Sequence, residues 1–351
     1  MEPNLASPNE VPQAPALSPV TSIAAQPFQG IQELTQLTEL LTWKSSKLLT
    51  ALAVTKSKHY STIFLKKKAG SGKLREIHNP DTIIRAVQYR ILNRILERLE
   101  VPDYIYAFER GASIPRMAEM HANKGLVISL DLKDYFSSIK QVHLHKLFTE
   151  MGFGKTPATT LSELCTYKAF VPQGALTSPK ISNLITATTF GPALKEFCAE
   201  RGYTLSVYAD DITISLENDI AKEEGGKERI KEVLSFVSSL VRRFGFRVNR
   251  EKTKVMRPFQ RQYVCGAVVN QKVNLQKAER QRLRAVVHNC EVNGLEAEAA
   301  KNELTPDRFA SKVMGQLNWF NQLNPEIGGR LMSKFKEFMA QHRTQSGSNT
   351  Q

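Results

Sequence analysis

Two adjacent carboxylates stand in the middle of an alternating apolar pattern. Residues 204–215 read Thr-Leu-Ser-Val-Tyr-Ala-Asp-Asp-Ile-Thr-Ile-Ser, so that apolar residues alternate with polar ones on both sides of Asp210 and Asp211. This period predicts two half-buried β-strands joined by a tight turn. Carboxylates this close repel each other unless a cation neutralises them, which suits a site for divalent metal ions. Asp is also a common turn former, so a solvated hairpin without a ligand is the alternative.

A third carboxylate, Asp131, follows the short apolar run Leu-Val-Ile-Ser-Leu at 126–130. Such a run predicts a buried strand, and a carboxylate at its end is well placed for a site but poorly placed for a core. Between these carboxylates, residues 171–179 read Val-Pro-Gln-Gly-Ala-Leu-Thr-Ser-Pro. They predict a turn-rich loop that can offer backbone amides to a ligand, followed by one helix from about Lys180 to Arg201.

A basic hairpin is predicted earlier in the chain, where two short strands within 60–77 flank a Gly-Ser-Gly turn at 70–72. Lys supplies a point charge and Arg a bidentate fork, so the basic end of this hairpin is suited to a triphosphate. An exposed basic hairpin with no ligand is the alternative.

The formal net charge of +14 over 351 residues points to a polyanionic partner, and residues 42–98 alone hold 13 Lys and Arg against three Asp and Glu. The four cysteines form no Cys-x-x-Cys pair, which predicts neither a disulfide framework nor a zinc site. No apolar run reaches transmembrane length, and the N-terminus lacks the pattern of a signal peptide. The sequence therefore predicts a cytoplasmic protein with no membrane partner.

Composition and periodicity divide the chain into five segments. They are a disordered N-terminal segment (1–30), N-terminal helices with the basic hairpin (31–125), the strands that carry the carboxylates with further segments inserted (126–270), a helical unit (271–342) and a frayed tail (343–351). The first segment is rich in Pro, Ala, Ser and Gln and cannot bury enough apolar surface to fold. In the helical unit, Gly294, Pro306 and Pro325 are predicted to break the helices.

Taken together in their order, these motifs resemble the reverse transcriptases over about residues 60–270. The resemblance extends to Asn249-x-x-Lys252-Thr253, and it is strongest to the bacterial retron type, in Asp-Leu-Lys-Asp-aromatic-Phe from Asp131 and Pro-Gln-Gly-Ala-x-Thr-Ser-Pro from Pro172. Two retron motifs are altered: Asn-Ala-x-x-His reads Met-Ala-Glu-Met-His at 117–121, and Val-Thr-Gly reads Val-Cys-Gly at 264–266. The resemblance implies an α+β fold, a right-hand polymerase with fingers, a ferredoxin-like palm and a helical thumb.

The same resemblance implies an RNA-directed DNA polymerase with two Mg²⁺ ions. It assigns catalysis to Asp131, Asp210, Asp211 and Lys252, and metal ligation to the three carboxylates and the Leu132 carbonyl. Lys252 is the candidate general acid for the pyrophosphate, or else only a phosphate-binding residue. Nucleotide binding falls to Lys66, Lys68, Arg75, Phe136 and Gln173. Arg75 acts with Lys66 or Lys68 on the triphosphate, and Phe136 blocks the ribose 2′-hydroxyl, with Tyr135 the next candidate for that gate.

RNA binding is expected of the two altered motifs and of the basic helical unit. The positions are His121, Tyr263, Cys265, Gly266, Lys277, Arg280, Arg284, Arg308 and Lys312, although the helical charges alternatively only solvate a surface. Implied partners are deoxynucleotides, a cognate structured non-coding RNA, its RNA-linked DNA product (msDNA) and a separately encoded effector, in bacterial defence against phage. A group II intron-like or abortive-infection reverse transcriptase and a non-catalytic RNA-binding protein on a polymerase scaffold are the alternatives.

Overall fold

The protein is described here from a computed structural model, which covers residues 26–66, 74–219, 223 and 225–348. Its helices are α1 (Leu34–Leu41), α2 (Ser46–Thr55), α3 (Thr82–Arg94), α4 (Ile114–Glu119), α5 (Tyr135–Ser138), α6 (Gln141–Glu150), α7 (Lys155–Leu164), α8 (Ser178–Thr188), α9 (Gly191–Glu200), α10 (Gly226–Arg243), α11 (Lys277–Asn293), α12 (Leu295–Lys301), α13 (Pro306–Leu323) and α14 (Pro325–Ser348). Short 3₁₀ turns lie at Lys56–His59 and Leu96–Arg98.

The strands are β1 (Tyr60–Lys66), β2 (Leu74–Pro80), β3 (Leu126–Asp131), β4 (Thr204–Tyr208), β5 (Asp211–Leu216), β6 (Lys254–Met256), β7 (Tyr263–Val264) and β8 (Ala267–Val268). They form two two-stranded sheets, β1-β2 and β7-β8, and a four-stranded sheet of order β4-β5-β3-β6. This mixture of helices and strands agrees with the predicted α+β class. The apolar residues of β3 are buried, as the predominantly apolar run predicted, and only Ser129 is half-buried.

Contacts within the chain divide it into two compact units. The first comprises residues 1–110, 131–212 and 230–251, and the second comprises residues 111–130, 213–229 and 252–351. Asp131, Asp210 and Asp211 all belong to the first unit, together with the β1-β2 hairpin and helices α5 to α9. The second unit holds the C-terminal helices α11 to α14.

The first unit begins earlier than the composition predicted. Phe28 is buried and stacks on Phe153 with ring centroids 4.7 Å apart, and its N–H donates to the Met151 carbonyl over 3.1 Å. Residues 26–30 are therefore part of the fold, because one aromatic side chain anchors them. The predicted disorder of residues 1–25 lies outside the described residues.

The predicted helix from Lys180 to Arg201 is two helices. Thr189, between α8 and α9, has φ −117° and ψ −101°, and Pro192 occupies the first turn of α9. Proline has no N–H for a bond to the preceding turn, so it suits a helix start and opposes a continuous helix. A Cβ on Gly191 would lie 2.5 Å from the Thr186 carbonyl oxygen and 2.6 Å from the Tyr104 hydroxyl, so the chain turns where only glycine fits.

The C-terminal helices of the second unit break at Gly294, Pro306 and Pro325, as predicted. Their core includes Val287, Cys290, Phe309, Leu317 and Phe335. Burial of each Val, Leu or Phe side chain in it contributes about 1.5–3 kcal/mol to stability. The last helix continues to Ser348, so the predicted frayed tail is helical over 343–348. In the part of the chain that the structure describes, no helix has the length and apolar character to span a membrane.

Candidate active site

The end of β3 is held on both sides by main-chain hydrogen bonds. On one side, the Asn249 N–H donates to the Asp131 carbonyl over 2.7 Å, and the Lys133 N–H donates to the Arg247 carbonyl over 2.8 Å. On the other side, the Leu132 N–H donates to the Asp210 carbonyl over 2.8 Å. The backbone therefore brings Asp131 beside the turn that carries Asp210 and Asp211, as the resemblance to reverse transcriptases implied.

That turn consists of Ala209 and Asp210, between the end of β4 and the start of β5. Ala209 is buried and has φ +53°, and a positive φ at the first central residue is typical of a type II′ turn. A left-handed conformation costs a residue with a Cβ about 1–2 kcal/mol, which the flanking strands must offset. The tight turn fixes Asp210 and Asp211 at the tip of the hairpin, where both are half-buried.

The Asp131 side chain is oriented by a residue to which sequence reasoning gave no role. Asp131 is 8% exposed, and its Oδ1 accepts a hydrogen bond from Asn249 Nδ2 over 3.2 Å. Since the main chains of these two residues are also bonded, Asn249 fixes both the backbone and the carboxylate of Asp131. In the sequence, the available sign of this role was the place of Asn249 in the Asn-x-x-Lys-Thr motif.

The donor chemistry of Asp131, Leu132 and Asp210 fits divalent cations. Within the described ranges, no three His, Cys, Asp or Glu side chains lie close enough together to hold a metal ion. Asp131 and Asp210 lie on bonded segments, because the Leu132 N–H donates to the Asp210 carbonyl. Carboxylate and carbonyl oxygens are the ligands that Mg²⁺ prefers, so these residues suit it; joint ligation with Asp211 stays a prediction.

Helix α5 contains both aromatic candidates for the sugar gate, and their environments differ. Tyr135 is 2% exposed, and its hydroxyl lies 2.7 Å from the Ser182 carbonyl oxygen and 2.6 Å from Thr186 Oγ1. Burial raises the pKa of Tyr135 well above its ordinary value; the hydrogen bond with Thr186 opposes this rise and the charge of Asp210 adds to it. Tyr135 is therefore a core residue, whereas the half-buried Phe136 keeps part of its ring accessible.

The register of the β1-β2 hairpin separates two of the predicted triphosphate ligands. Leu65 is paired with Arg75, and Lys66 is paired with Leu74. Paired residues of an antiparallel ladder share a face and successive residues alternate, so Lys66 and Arg75 project from opposite faces. The expectation that Lys66 acts with Arg75 on one triphosphate is contradicted by this register. Lys68 lies outside the described residues.

The Gln173 loop packs against β2, the strand that carries Arg75. The His78 N–H donates to the Gln173 carbonyl over 2.8 Å. Gly174 has φ +116°, and a Cβ there would lie 2.8 Å from both the His78 carbonyl oxygen and Ile77 Cγ2. Ile77 is two residues from Arg75 on the same strand and therefore on the same face. Gln173 therefore lies beside β2, the strand that carries Arg75, and a glycine makes this close approach possible.

A second residue missed by sequence reasoning, Gln88, ties this loop to its surroundings. It is completely buried in α3, and its Nε2 donates to the Tyr60 hydroxyl over 2.9 Å and to the Leu164 carbonyl over 3.0 Å. Its Oε1 accepts from the Leu176 N–H over 3.3 Å. One amide therefore connects β1, α7 and the Gln173 loop. In the sequence, the only sign of this role of Gln88 was its position as a polar residue on an apolar helix face.

In the second unit, the expected RNA contact of His121 is contradicted. The ring is completely buried, and its Nδ1 lies 2.7 Å from Ser215 Oγ. Burial, and to a smaller extent the charge of Lys124, lowers the pKa of His121 to about 4, so the ring is neutral at pH 7. His121 is therefore an interior residue that links the end of the α4 segment to β5.

The other predicted RNA-binding positions lie at or near the surface of the second unit. Tyr263 and Cys265 are half-buried and Gly266 is exposed; φ is +45° at Cys265 and +88° at Gly266, as the type I′ turn between β7 and β8 requires. Among the helical residues, Lys277, Arg284, Arg308 and Lys312 are exposed and Arg280 is half-buried. Lys252 is exposed in the turn before β6.

Comparison with known proteins agrees with this geometry. Residues 65–309 match the family model described as reverse transcriptase (RNA-dependent DNA polymerase). The chain is 32% identical over 297 residues to the retron Mx65 reverse transcriptase of Myxococcus xanthus, covering 80% of this chain and 65% of that protein. It is 27% identical over 246 residues to the retron Ec86 reverse transcriptase of Escherichia coli, covering 70% of this chain and 74% of that protein.

A further relative, the retron Mx162 reverse transcriptase of Myxococcus xanthus, is 31% identical over 257 residues, which cover 66% of this chain and 52% of that protein. The matched part of this chain thus spans between about half and three quarters of these relatives. The matched model covers well over half of the chain and includes the Asp131 strand end, the Gln173 loop and the Asp210 turn. The chain therefore belongs to the reverse transcriptase family, and the relatives named here are reverse transcriptases of retrons.

Proposed function

We propose that this protein is an RNA-directed DNA polymerase of the retron type, which copies part of a structured RNA into DNA. The observation that carries the proposal is the main-chain hydrogen bond from Leu132 to Asp210, because it joins the strand end of Asp131 to the Asp210-Asp211 turn. In a member of the reverse transcriptase family, this is the place where a primer hydroxyl would meet an incoming nucleotide.

In this proposal, Asp131, Asp210, Asp211 and the Leu132 carbonyl hold two divalent metal ions. When bound, the ions acidify the primer 3′-hydroxyl and stabilise the charge that develops on the phosphates. Asn249 keeps the Asp131 carboxylate in place, which reduces the cost of ordering it when substrate binds.

Other residues of this chain bind and select the nucleotide. The Arg75 guanidinium binds the triphosphate through paired N–H donors. Gln173, whose carbonyl is bonded to the same strand, borders the base or sugar. The accessible ring of Phe136 excludes a ribose 2′-hydroxyl by its bulk. Lys252, three residues after Asn249, donates a proton to the leaving pyrophosphate.

RNA recognition is assigned to the second unit. Lys277 and Arg284 are seven residues apart on α11 and therefore share one exposed helix face. Arg280, with Arg308 and Lys312 of α13, adds to the basic surface, and the β7-β8 hairpin contributes Tyr263 and Cys265. Basic side chains bind RNA phosphates, and a fixed hairpin supplies the shape-dependent contact that recognition of one RNA fold needs.

The resemblance to retrons extends the proposal to the biology of the product. The DNA stays joined to its template RNA, and the system defends a bacterium against phage from the cytoplasm, together with a separately encoded effector. These assignments follow from the resemblance to retrons, and the nucleic acid that copurifies with the protein tests the link between RNA and DNA.

The decisive experiment is purification of the protein expressed from its own locus, followed by sequencing of the bound nucleic acid and assay of DNA synthesis. We expect an RNA joined to DNA of fixed sequence. Replacing Asp210 and Asp211 with Asn should reduce synthesis by at least about 1,000-fold, because the metal-binding charge is lost. RNA retention should persist, since the basic surface is untouched.

Two results would overturn the proposal. Synthesis at the wild-type rate by the double variant would exclude these carboxylates from catalysis. A wild-type protein that retains RNA but makes no DNA from it would identify a non-catalytic RNA-binding protein.

A further inference from the structure

Phe108 holds an aromatic ring in solvent from an unfavourable backbone conformation. The residue is 51% exposed and its φ is +62°, in the left-handed region that bulky side chains rarely adopt. An exposed side chain does not offset such strain by packing in a core. Strained residues of this kind cluster at functional sites, where the surrounding structure forces the conformation.

Both neighbours of Phe108 are anchored by buried interactions with α8. The Ala107 carbonyl accepts a hydrogen bond from Asn183 Nδ2 over 2.6 Å. The Glu109 carboxylate lies 2.8 Å and 3.0 Å from Lys180 Nζ, and its Oε1 also accepts from Asn183 Nδ2 over 2.8 Å. Lys180 is only 5% exposed, so this ion pair is shielded from solvent. The residues on either side are thus fixed, which forces the ring between them outward.

The same segment runs alongside β4 toward the catalytic turn. The Val207 N–H donates to the Tyr104 carbonyl over 2.7 Å, and the Tyr106 N–H donates to the Val207 carbonyl over 2.9 Å. The ring of Phe108 consequently lies beside that of Tyr208, with centroids 6.4 Å apart and planes inclined by 39°. Tyr208 precedes Asp210 by two residues, so the exposed ring is adjacent to the proposed reaction centre.

We propose that Phe108, with Tyr208 beside it, forms a stacking surface for a nucleobase of the primer–template duplex next to Asp210. Every nucleobase presents a π face, and aromatic side chains stack on such faces with little dependence on sequence, as a polymerase requires. Phe108 is thus a positioning residue for the proposed polymerase reaction, and this inference rests on that function. The base belongs either to the growing primer end or to the template strand opposite it.

The first test compares Phe108→Ala, Phe108→Leu and Phe108→Trp on a defined RNA template with a DNA primer. Phe108→Ala should raise the Kd for the primer–template by roughly 5- to 150-fold, the range for loss of one base-stacking ring. Phe108→Leu retains apolar bulk without a π face and should resemble the Ala variant, whereas Phe108→Trp should restore binding. Unchanged thermal unfolding would show that the variants are folded.

The second test identifies the stacked base. An abasic nucleotide is placed either at the primer terminus or at the opposing template position, and the Kd is measured for the wild type and for Phe108→Ala. At the base that Phe108 contacts, the two changes should be non-additive, because each removes the same stacking interaction. Full additivity at both positions, or wild-type binding by Phe108→Ala, would overturn the inference.

Failure of this inference is distinguishable from failure of the proposed function. A wild-type protein that synthesises DNA while Phe108→Ala binds and extends primers normally retains the function and refutes the stacking surface. A wild-type protein without DNA synthesis on any template refutes the function, and the inference with it.

Discussion

Replacing Gly174 with Ala would perturb the contact between the Gln173 loop and the β1-β2 hairpin. The added Cβ would lie 2.8 Å from the His78 carbonyl oxygen and 2.8 Å from Ile77 Cγ2. In addition, φ of +116° is almost inaccessible to residues other than glycine. Backbone strain of about 1–3 kcal/mol and overpacking of about 1–3 kcal/mol together predict a loss of roughly 2–6 kcal/mol in the free energy of unfolding.

Relief of that strain requires the loop to move away from β2. The hydrogen bond from the His78 N–H to the Gln173 carbonyl, 2.8 Å long, would then lengthen or break. Because Gln173 is proposed to border the nucleotide, a displacement of about 1 Å should lower kcat/KM for deoxynucleotides by up to about 100-fold. The loss should appear mainly as a higher KM, since Asp131 and Asp210 are held by other hydrogen bonds.

Gly202→Ala is the matched control. Gly202 also has a positive φ, +65°, but no heavy atom lies within 4 Å of the Cβ that would be added. Only the left-handed conformation is then penalised, at about 1–2 kcal/mol. Urea unfolding and single-nucleotide incorporation would be measured for both variants. Equal losses of stability and an unchanged KM in Gly174→Ala would refute the reasoning.

Two further predictions concern His121 and Phe136. The folded protein lowers the pKa of His121 from 6.5 to about 4, so unfolding takes up a proton between these values. The free energy of unfolding should therefore decline as pH falls from about 6.5 to about 4, by about 1.4 kcal/mol per pH unit. His121→Gln should remove this component. If urea unfolding gives the wild type and His121→Gln the same dependence of stability on pH, the prediction is wrong. Phe136→Val should increase ribonucleotide incorporation in primer extension, whereas the control Tyr135→Phe removes only a buried hydroxyl and should leave sugar choice unchanged. If Phe136→Val discriminates between ribonucleotides and deoxynucleotides as the wild type does, Phe136 is not the gate.

Local patterns predicted the elements that carry the candidate site. The alternation around Asp210 and Asp211 predicted two strands and their turn, because apolar residues at every second position are typical of a half-buried strand. The run before Asp131 likewise became a buried strand that ends at the carboxylate. In the C-terminal helices, the breaks at Gly294 and Pro306 followed from backbone chemistry that is independent of the rest of the fold.

Features that depend on distant parts of the chain could not be read in this way. The bond between Asn249 and Asp131 joins residues 118 positions apart. The separation of Lys66 from Arg75 follows from a register that residue types alone do not specify. His121 belongs to a motif that suggested a surface role, but its ring is bonded to Ser215 in strand β5, 94 positions along the chain.

The relative position of the candidate catalytic residues is fixed by main-chain rather than side-chain atoms. The bonds from Leu132 to Asp210 and from Asn249 to Asp131 use N–H and carbonyl groups that every non-proline residue possesses. Substitution of Asp210 or Asp211 by Asn therefore changes the charge at the turn while leaving the frame that presents it. The contact of the Asn249 amide with the Asp131 carboxylate is the exception, because it depends on both side chains. Loss of DNA synthesis in the Asp-to-Asn variants would consequently report on the chemistry of the carboxylates and not on collapse of the site.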